Sequence, residues 1–214
     1  MLHYSKDTLD SLALSQKISL INSITGVKPA NLIGSQDANG QTNLAIFSSV
    51  VHLGSHPPLI GFVLRPKQVM ALAQTATPKW VERHTYDNII HTGVYTINHV
   101  SLPMVAAAHA TAQRYPQTVS EFAACGLTPE YLPQFNAPFV VQSVCKFGLR
   151  FIEEIAIERN GTTLIVGEVE HILLADNALS PEGAVRLDTL NSVGLGGTNH
   201  YYSLKHQCEC ALES

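Results

Sequence analysis

The sequence predicts a mainly β, α+β fold in a single domain, and three observations carry that prediction. The run from Lys28 to Pro66 alternates short apolar segments with turn residues: Leu32-Ile33, then Asp37-Ala38-Asn39-Gly40, then Leu44 to Phe47, then Gly54 to Pro58, then Leu59 to Leu64. From Phe139 the pattern has period two and leads into Arg159-Asn160-Gly161-Thr162, a hairpin signal, before an apolar return from Thr163 to Leu174. Long antiparallel strands joined in this way close into a barrel or a sandwich. The third observation is composition. A chain of 214 residues fills one core, and 45% hydrophobic against 14% charged residues implies either a large buried fraction or an oligomer that covers more surface; an oligomer is the expectation.

Taken in order, Asp7 to Gln16 places Leu9, Leu12, Ala13 and Gln16 on one face and predicts a short helix, with Ile18 to Ile24 as a strand or connector. Residues 1–25 therefore read as a helical extension, 26–205 as the domain and 206–214 as a tail. After Pro66, the segment Lys67 to Arg83 reads as an inserted loop or short helix, with Trp80 filling an apolar corner or stacking on a planar ring. Thr85 is placed to N-cap a helix through Ile89-Ile90-His91 that Gly93 ends in a left-handed conformation, and Val94 to Asn98 follows as a strand. Ser101 to Tyr115, alanine-rich with Pro103 in its first turn, predicts a helix whose small residues allow close packing. A short helix near Val119 to Ala124 stops at Gly126, and Pro129, Pro133 and Pro138 punctuate a link. In the strand from Phe139, Phe139, Val141, Cys145 and Phe147 share one face, opposite Gln142, Lys146 and Arg150. Glu153, Glu154, Glu158, Glu168 and Glu170 read as a solvated face.

Several function classes are excluded at this level. The net charge is −4 with no Lys/Arg cluster, which argues against a nucleic-acid partner because phosphate neutralisation needs concentrated positive charge. No apolar run approaches the ~20 residues that span a bilayer, and Met1 to Asp10 lacks a signal-type apolar core, so no membrane partner and a cytoplasmic location are expected. The four cysteines, Cys125, Cys145, Cys208 and Cys210, suggest no disulfide framework. Among ten histidines, His52 and His56 stand four apart, but Gly54 and Pro57-Pro58 exclude the helix that would align them. His206-x-Cys208-x-Cys210 has ligand chemistry but lies in a tail that reads as a solvated end, so no metal is expected. Gly194, Gly196 and Gly197 lack the spacing of a dinucleotide fingerprint and read as backbone freedom near a ligand or interface.

The polar residues of the Lys28 to Pro66 run sit where amides and hydroxyls come free at strand ends. Ser35, Asn43, Ser48, Ser49 and Arg65 supply donors and a cation for a bound phosphate within one supersecondary unit. Ser, Asn and Gly are equally what turns are made of, and the residues alone leave both readings open.

The order of these residues resembles the flavin reductase family with the FMN-binding split barrel, of the flavoredoxin and nitrilotriacetate monooxygenase component B type. Pro29, Ser35, Asp37, Gly40, Asn43, Ala45, Phe47, Ser48, Ser49, Pro57-Pro58-Leu59 and Arg65 stand where that family carries its first hallmark. Arg83-His84-Thr85 followed by Asn88-Ile89 and the strand to Asn98 is similar to the second, in which Lys-Asp-Thr commonly opens the helix; Arg83 and His84 depart from it, Arg83 keeping the positive charge. Leu195-Gly196-Gly197 and the tyrosines after it resemble the C-terminal hallmark, so the likeness runs from about Gly26 to Leu204.

The resemblance implies a split β-barrel with peripheral helices, bound FMN and a homodimer. It assigns the phosphate to Ser48, Ser49 and Thr85 with Arg65 or Arg83, and ring or ribityl oxygens to Asn43 and backbone groups of Leu44, Ala45 and Phe47, with Ser35 beside them. The reaction it implies is hydride transfer from NADH or NADPH to flavin, then to a small-molecule or protein electron acceptor or out as reduced flavin. The flavin carries that chemistry, so no side chain is assigned as acid, base or nucleophile. His200 and Tyr202 stand either on the nicotinamide side or at a dimer interface. The alternative is a flavin-binding electron carrier, reduced by a partner protein and without an NAD(P)H site of its own.

Overall fold

The computed structural model describes residues 1–69 and 79–210. Seven strands form one antiparallel sheet: β1 (Asn31–Gln36), β2 (Thr42–Phe47), β3 (Val50–Ser55), β4 (Pro58–Leu64), β5 (Val94–His99), β6 (Cys145–Ile157) and β7 (Thr162–Leu174), in the order β2-β1-β5-β6-β7-β4-β3. The helices are α1 (Lys6–Ser11), α2 (Leu14–Ser23), α3 (His84–Thr92), α4 (Val105–Ala110) and α5 (Glu121–Ala124).

The two edge strands, β2 and β3, are consecutive in the chain and joined only by Ser48-Ser49. At about 3.3 Å per residue that link cannot span an open seven-stranded sheet, so the sheet curls until its edges meet, leaving a seam. The ring of Phe47 on β2 accordingly lies 5.1 Å from that of Phe62 on β4, and Phe62 lies 5.6 Å from Tyr95 on β5. With Ile33, Ile97, Leu149 and Ile165 these rings fill the barrel interior. Ser49 sits at the seam, its hydroxyl donating to the Val63 carbonyl at 2.9 Å. The chain is a mainly β split barrel with few helices, as its sequence predicts.

β1 is buried on both faces. Ile33 points into the barrel, while Leu32 points into a second core with Leu44, Val100, Met104, Phe122 and Val140, which α4 and α5 cover. A strand at Phe135–Val140, paired with Pro129–Leu132, crosses the outer face of the sheet over Gly34. It is pinned by a buried network: Asn98 Nδ2 donates to Thr96 Oγ1, which donates to the Pro138 carbonyl, and Asn98 Oδ1 accepts from the Val140 amide. Among the described residues, no helix is long and apolar enough to cross a membrane.

Several expectations need correction. The N-terminal segment forms two helices, broken at Leu12-Ala13, and the second takes in most of the stretch expected as a strand or connector from Ile18 to Ile24. Neither helix buries a residue, and Lys28 Nζ ties the end of α2 to the short strand Lys28–Pro29, which pairs with Val193–Gly196, by donating to Asn22 O at 2.7 Å. The Ser101 to Tyr115 helix is confined to a 3-10 turn at Leu102–Met104 and to α4; intrinsic alanine propensity does not carry it past Thr111. The proline-punctuated link is a two-stranded ribbon, since its prolines occupy positions that need no ladder N–H. The strand expected from Phe139 is two strands separated by a turn, in which Val141 is 47% exposed rather than on a buried face. Of the insertion expected over 67–83, residues 70–78 lie outside the described residues. Trp80 pairs in a short ribbon with Gln68 and is 65% exposed, so it fills no corner.

Candidate functional site

Four polar side chains converge where β1 and β2 meet the start of α3. Asn43 Nδ2 donates to Thr85 Oγ1 at 2.9 Å, and Asn88 Nδ2 donates to Ser35 Oγ at 3.2 Å. All four residues are buried. Ser35 and Asn43 are direct cross-strand partners, so their side chains share one face, and Thr85 and Asn88, three apart on α3, reach down to them. Thr85 is the second residue of the helix rather than its N-cap; Arg83 is the cap residue and provides no side-chain cap. Gly93 ends the helix at φ 74°, as expected.

The first amide of α3 with a helical partner is that of Asp87, which donates to Arg83 O. Those of His84, Thr85 and Tyr86 find no acceptor among the described residues, so the positive end of the helix is open to an anion. Arg83 is held beside it, Nε and Nη2 both donating to Pro66 O at 3.3 and 3.0 Å, with the Val81 amide to Lys67 O at 2.7 Å closing the same junction. Burial, then the positive charges of Arg65 and Arg114, hold the Arg83 guanidinium below its ordinary pKa. Among the described residues, no carboxylate pairs with any of these three arginines.

β2 offers a second set of groups. The Leu44 amide turns away from β1 and donates to Glu121 Oε2 at 2.9 Å. Because residues two apart on a strand point the same way, the N–H and C=O of Ile46 also face the unpaired edge. Ser48 lies in the link that follows, its hydroxyl without a partner among the described residues, whereas the Ser49 hydroxyl is engaged at Val63. Thus Ser35, Asn43 and Thr85 are brought together, Arg83 caps the helix that carries Thr85, Arg65 adds positive charge to the surroundings of Arg83, and the edge from Leu44 through Ala45 to Phe47 runs on to Ser48 and Ser49. His200 and Tyr202 belong to a different neighbourhood, a hairpin of Val193–Gly196 with His200–Ser203. There His200 lines a 440 Å³ cavity with Gln16, Ser19, Thr198 and Asn199.

Sequence reasoning left two residues of this cluster without a role. Asn88 stands in the Asn88-Ile89 motif and could be assigned from its i+3 spacing to Thr85; Glu121 carries no local signal. Burial raises the pKa of Glu121, against the lowering effect of its hydrogen bond from Leu44. A carboxyl whose folded pKa is raised favours the fold while protonated, and that contribution is lost as pH rises from the ordinary carboxylate range through the folded value. Glu121→Gln keeps an acceptor for Leu44 without the buried charge. Its melting temperature relative to the parent is therefore expected to be higher at pH 7 than at pH 4, and an equal difference at both pH values would contradict the burial argument.

The split barrel presents an open helix end, arginines without carboxylate partners among the described residues and a free strand edge, and the family to which the chain belongs makes its class that of a flavin-related oxidoreductase. The chain belongs to the family described as flavin reductase like domain, whose model matches residues 27–190. It is 39% identical, over the whole of both chains and with a TM-score of 0.90, to a split barrel domain protein of Shewanella frigidimarina NCIMB 400, itself a candidate flavin reductase. It shares its fold with nitrilotriacetate monooxygenase component B from Bacillus cereus (20% identity, 98% of each chain, TM-score 0.83). The same holds for flavoredoxin of Desulfovibrio vulgaris (Miyazaki F) (23% identity, 88% of this chain and 92% of that one, TM-score 0.71).

Proposed function

We propose that this chain binds FMN along β2, with its phosphate at the start of α3, and uses it to accept hydride from NADH or NADPH. The observation that carries the reading is the open N-terminus of α3, with three amides that find no acceptor among the described residues and arginines that no described carboxylate neutralises. A phosphate monoester, carrying about −1.5 to −2 charges at neutral pH, matches that donor set in sign and hydrogen-bonding type. The Thr85 hydroxyl accepts from Asn43 and keeps its own hydrogen to donate, and Ser48 adds a hydroxyl without a partner among the described residues. The unpaired N–H and C=O of Ile46 suit the alternating acceptors and donor of a flavin pyrimidine edge. Bound FMN would supply the redox chemistry, with electrons passing to a small-molecule or protein acceptor or leaving with reduced flavin. The chain's own residues bind and orient.

The test is an anaerobic absorbance spectrum of the protein reconstituted with FMN and mixed with NADH or NADPH. Bands of oxidised flavin that bleach on mixing support the reading and reveal the preferred donor. Bound flavin that stays oxidised with both donors overturns NAD(P)H dependence and leaves the electron-carrier function.

The reading includes a homodimer. Val51 and Leu53 on β3 and Ile155 on β6 stand on the outer face of the barrel with Leu164 between them, and Leu53 and Ile155 are 43% and 47% exposed. Such a contiguous apolar patch on a sheet is what a second copy would cover. Light scattering is expected to give twice the chain mass, and a monomer mass at micromolar concentration would overturn the dimer.

A further inference from the structure

We infer that the N-terminal arm docks on a second copy of this chain through the outer face of α2, with Val27 and Tyr202 continuing the same surface. Such docking rests on the homodimer proposed above and is independent of the flavin. The amphipathicity of α2 is inverted with respect to its own domain. Gln16, Ser19 and Ser23, with Leu20, share the face that looks across the 440 Å³ cavity at Thr198, Asn199 and His200. Leu14, Ile18 and Ile21, at the i, i+4, i+7 spacing of a single stripe, stand on the opposite face and are 42%, 41% and 44% exposed. A surface helix of a globular domain turns its apolar stripe to the core. This one turns hydroxyls and an amide to its own domain and its branched side chains to solvent. Helices of six and ten residues do not hold in water on propensity alone, since about 12–15 residues are already marginal. The arm therefore needs a packing surface that nothing among the described residues supplies.

The stripe does not end with the helix. Ile24 and Val27 are exposed, and Val27 lies over Gly194, where a Cβ would stand, while the Tyr202 ring lies over Gly196 in the same way. Gly194 and Tyr202 are direct cross-strand partners, so Val27 and Tyr202 share the outer face of a short sheet whose inner face carries Val193 and Leu195 into the core. Tyr202 then stands at the dimer interface rather than on the nicotinamide side.

A second copy fits this surface better than a bilayer does. Lys17 is the sole charge on α2 and is already paired with Asp10 at 3.6 Å, whereas helices that lie in a membrane surface line their polar face with Lys and Arg. A stable dimer takes about 20–30 residues from each partner. The barrel patch at Val51, Leu53, Ile155 and Leu164 falls far short of that, and the arm adds uncharged side chains of the same branched kind. About a two-fold axis every such contact is made twice, so one surface serves both copies.

The test is the dimer dissociation constant by sedimentation equilibrium, for the parent protein, for Ile18→Asp combined with Ile21→Asp, for Tyr202→Ala and for Gln16→Glu. The last adds a charge to the opposite face of the same helix. The double variant is expected to raise the constant about a hundredfold or more and Tyr202→Ala about tenfold, with Gln16→Glu unchanged. Tyr202→Ala probes the same surface without touching α2, and a circular dichroism spectrum like the parent's shows that each variant keeps the barrel. If the double variant and Tyr202→Ala both dimerise as the parent does, or if Gln16→Glu weakens the dimer as much as the double variant, the docking is overturned and the barrel-patch dimer stands. A parent that is monomeric at micromolar concentration overturns both. A monomeric parent that also floats with phosphatidylglycerol vesicles gives the stripe to a membrane instead.

Discussion

Gly34→Ala is expected to destabilise the protein by about 3–5 kcal/mol, a large share of the roughly 5–15 kcal/mol that holds a typical domain together. A Cβ at position 34 would stand 2.2 Å from the Pro138 carbonyl oxygen and 2.6 Å from Thr96 Oγ1. The first of these is backbone and cannot rotate away. Relief requires the Phe135–Val140 strand to lift, at an overpacking cost of about 1–3 kcal/mol. Lifting it also stretches the Thr96 to Pro138 and Asn98 to Val140 hydrogen bonds, and orphaned buried groups cost about 1–3 kcal/mol each. Urea denaturation measures the loss. Gly54→Ala is the control, since its nearest contact beyond adjacent residues would be 3.6 Å away. A loss below about 1 kcal/mol for Gly34→Ala would show that the crossing strand yields freely, against the network drawn for it.

The double substitution Ser48→Ala with Thr85→Ala is expected to weaken FMN binding by about 2–4 kcal/mol, the scale of two lost charge-assisted hydrogen bonds. Thr85 acts from the first turn of α3 and Ser48 from the seam, so the pair brackets the proposed site from two elements. Removing the Thr85 hydroxyl also orphans Asn43 Nδ2, which is buried. The binding loss must therefore be separated from a stability loss. Thr85→Ser keeps both the acceptor for Asn43 and the free hydrogen, and paired with intact Ser48 it is expected to bind FMN as the parent does. Equal affinity of the double variant and the parent in a titration would reject the phosphate assignment.

Much of the barrel was legible because local chemistry and tertiary demand agree there. The Asp37 to Gly40 turn, the Asn160-Gly161 hairpin and the Gly93 cap each need a specific residue type, and each element ends where that residue stands. The misread segments are those where the fold overrides a local preference. Pro129 and Pro138 speak against a strand, yet they sit in a ribbon laid across the sheet rather than inside it. The alanines before Thr111 favour a longer helix than packing over Leu32 and Val100 leaves room for. At the site, the motif residues Ser35, Asn43 and Thr85 could be named because they are close in sequence to turns and a helix start. Glu121 could not, since nothing near it in sequence reveals that its segment doubles back along β2.

The seam has a consequence for how the molecule is made. β4 pairs with β7, Leu64 opposite Thr163, so the hairpin that carries the second edge of the barrel has no permanent neighbour until a much later stretch of chain exists. During synthesis, Ser48 and Ser49 leave the ribosome early, but the seam they border closes only when the long β6–β7 hairpin arrives. Until then β3 and β4 present bare strand edges, and the proposed flavin-binding surface is among the last parts of the protein to come into being.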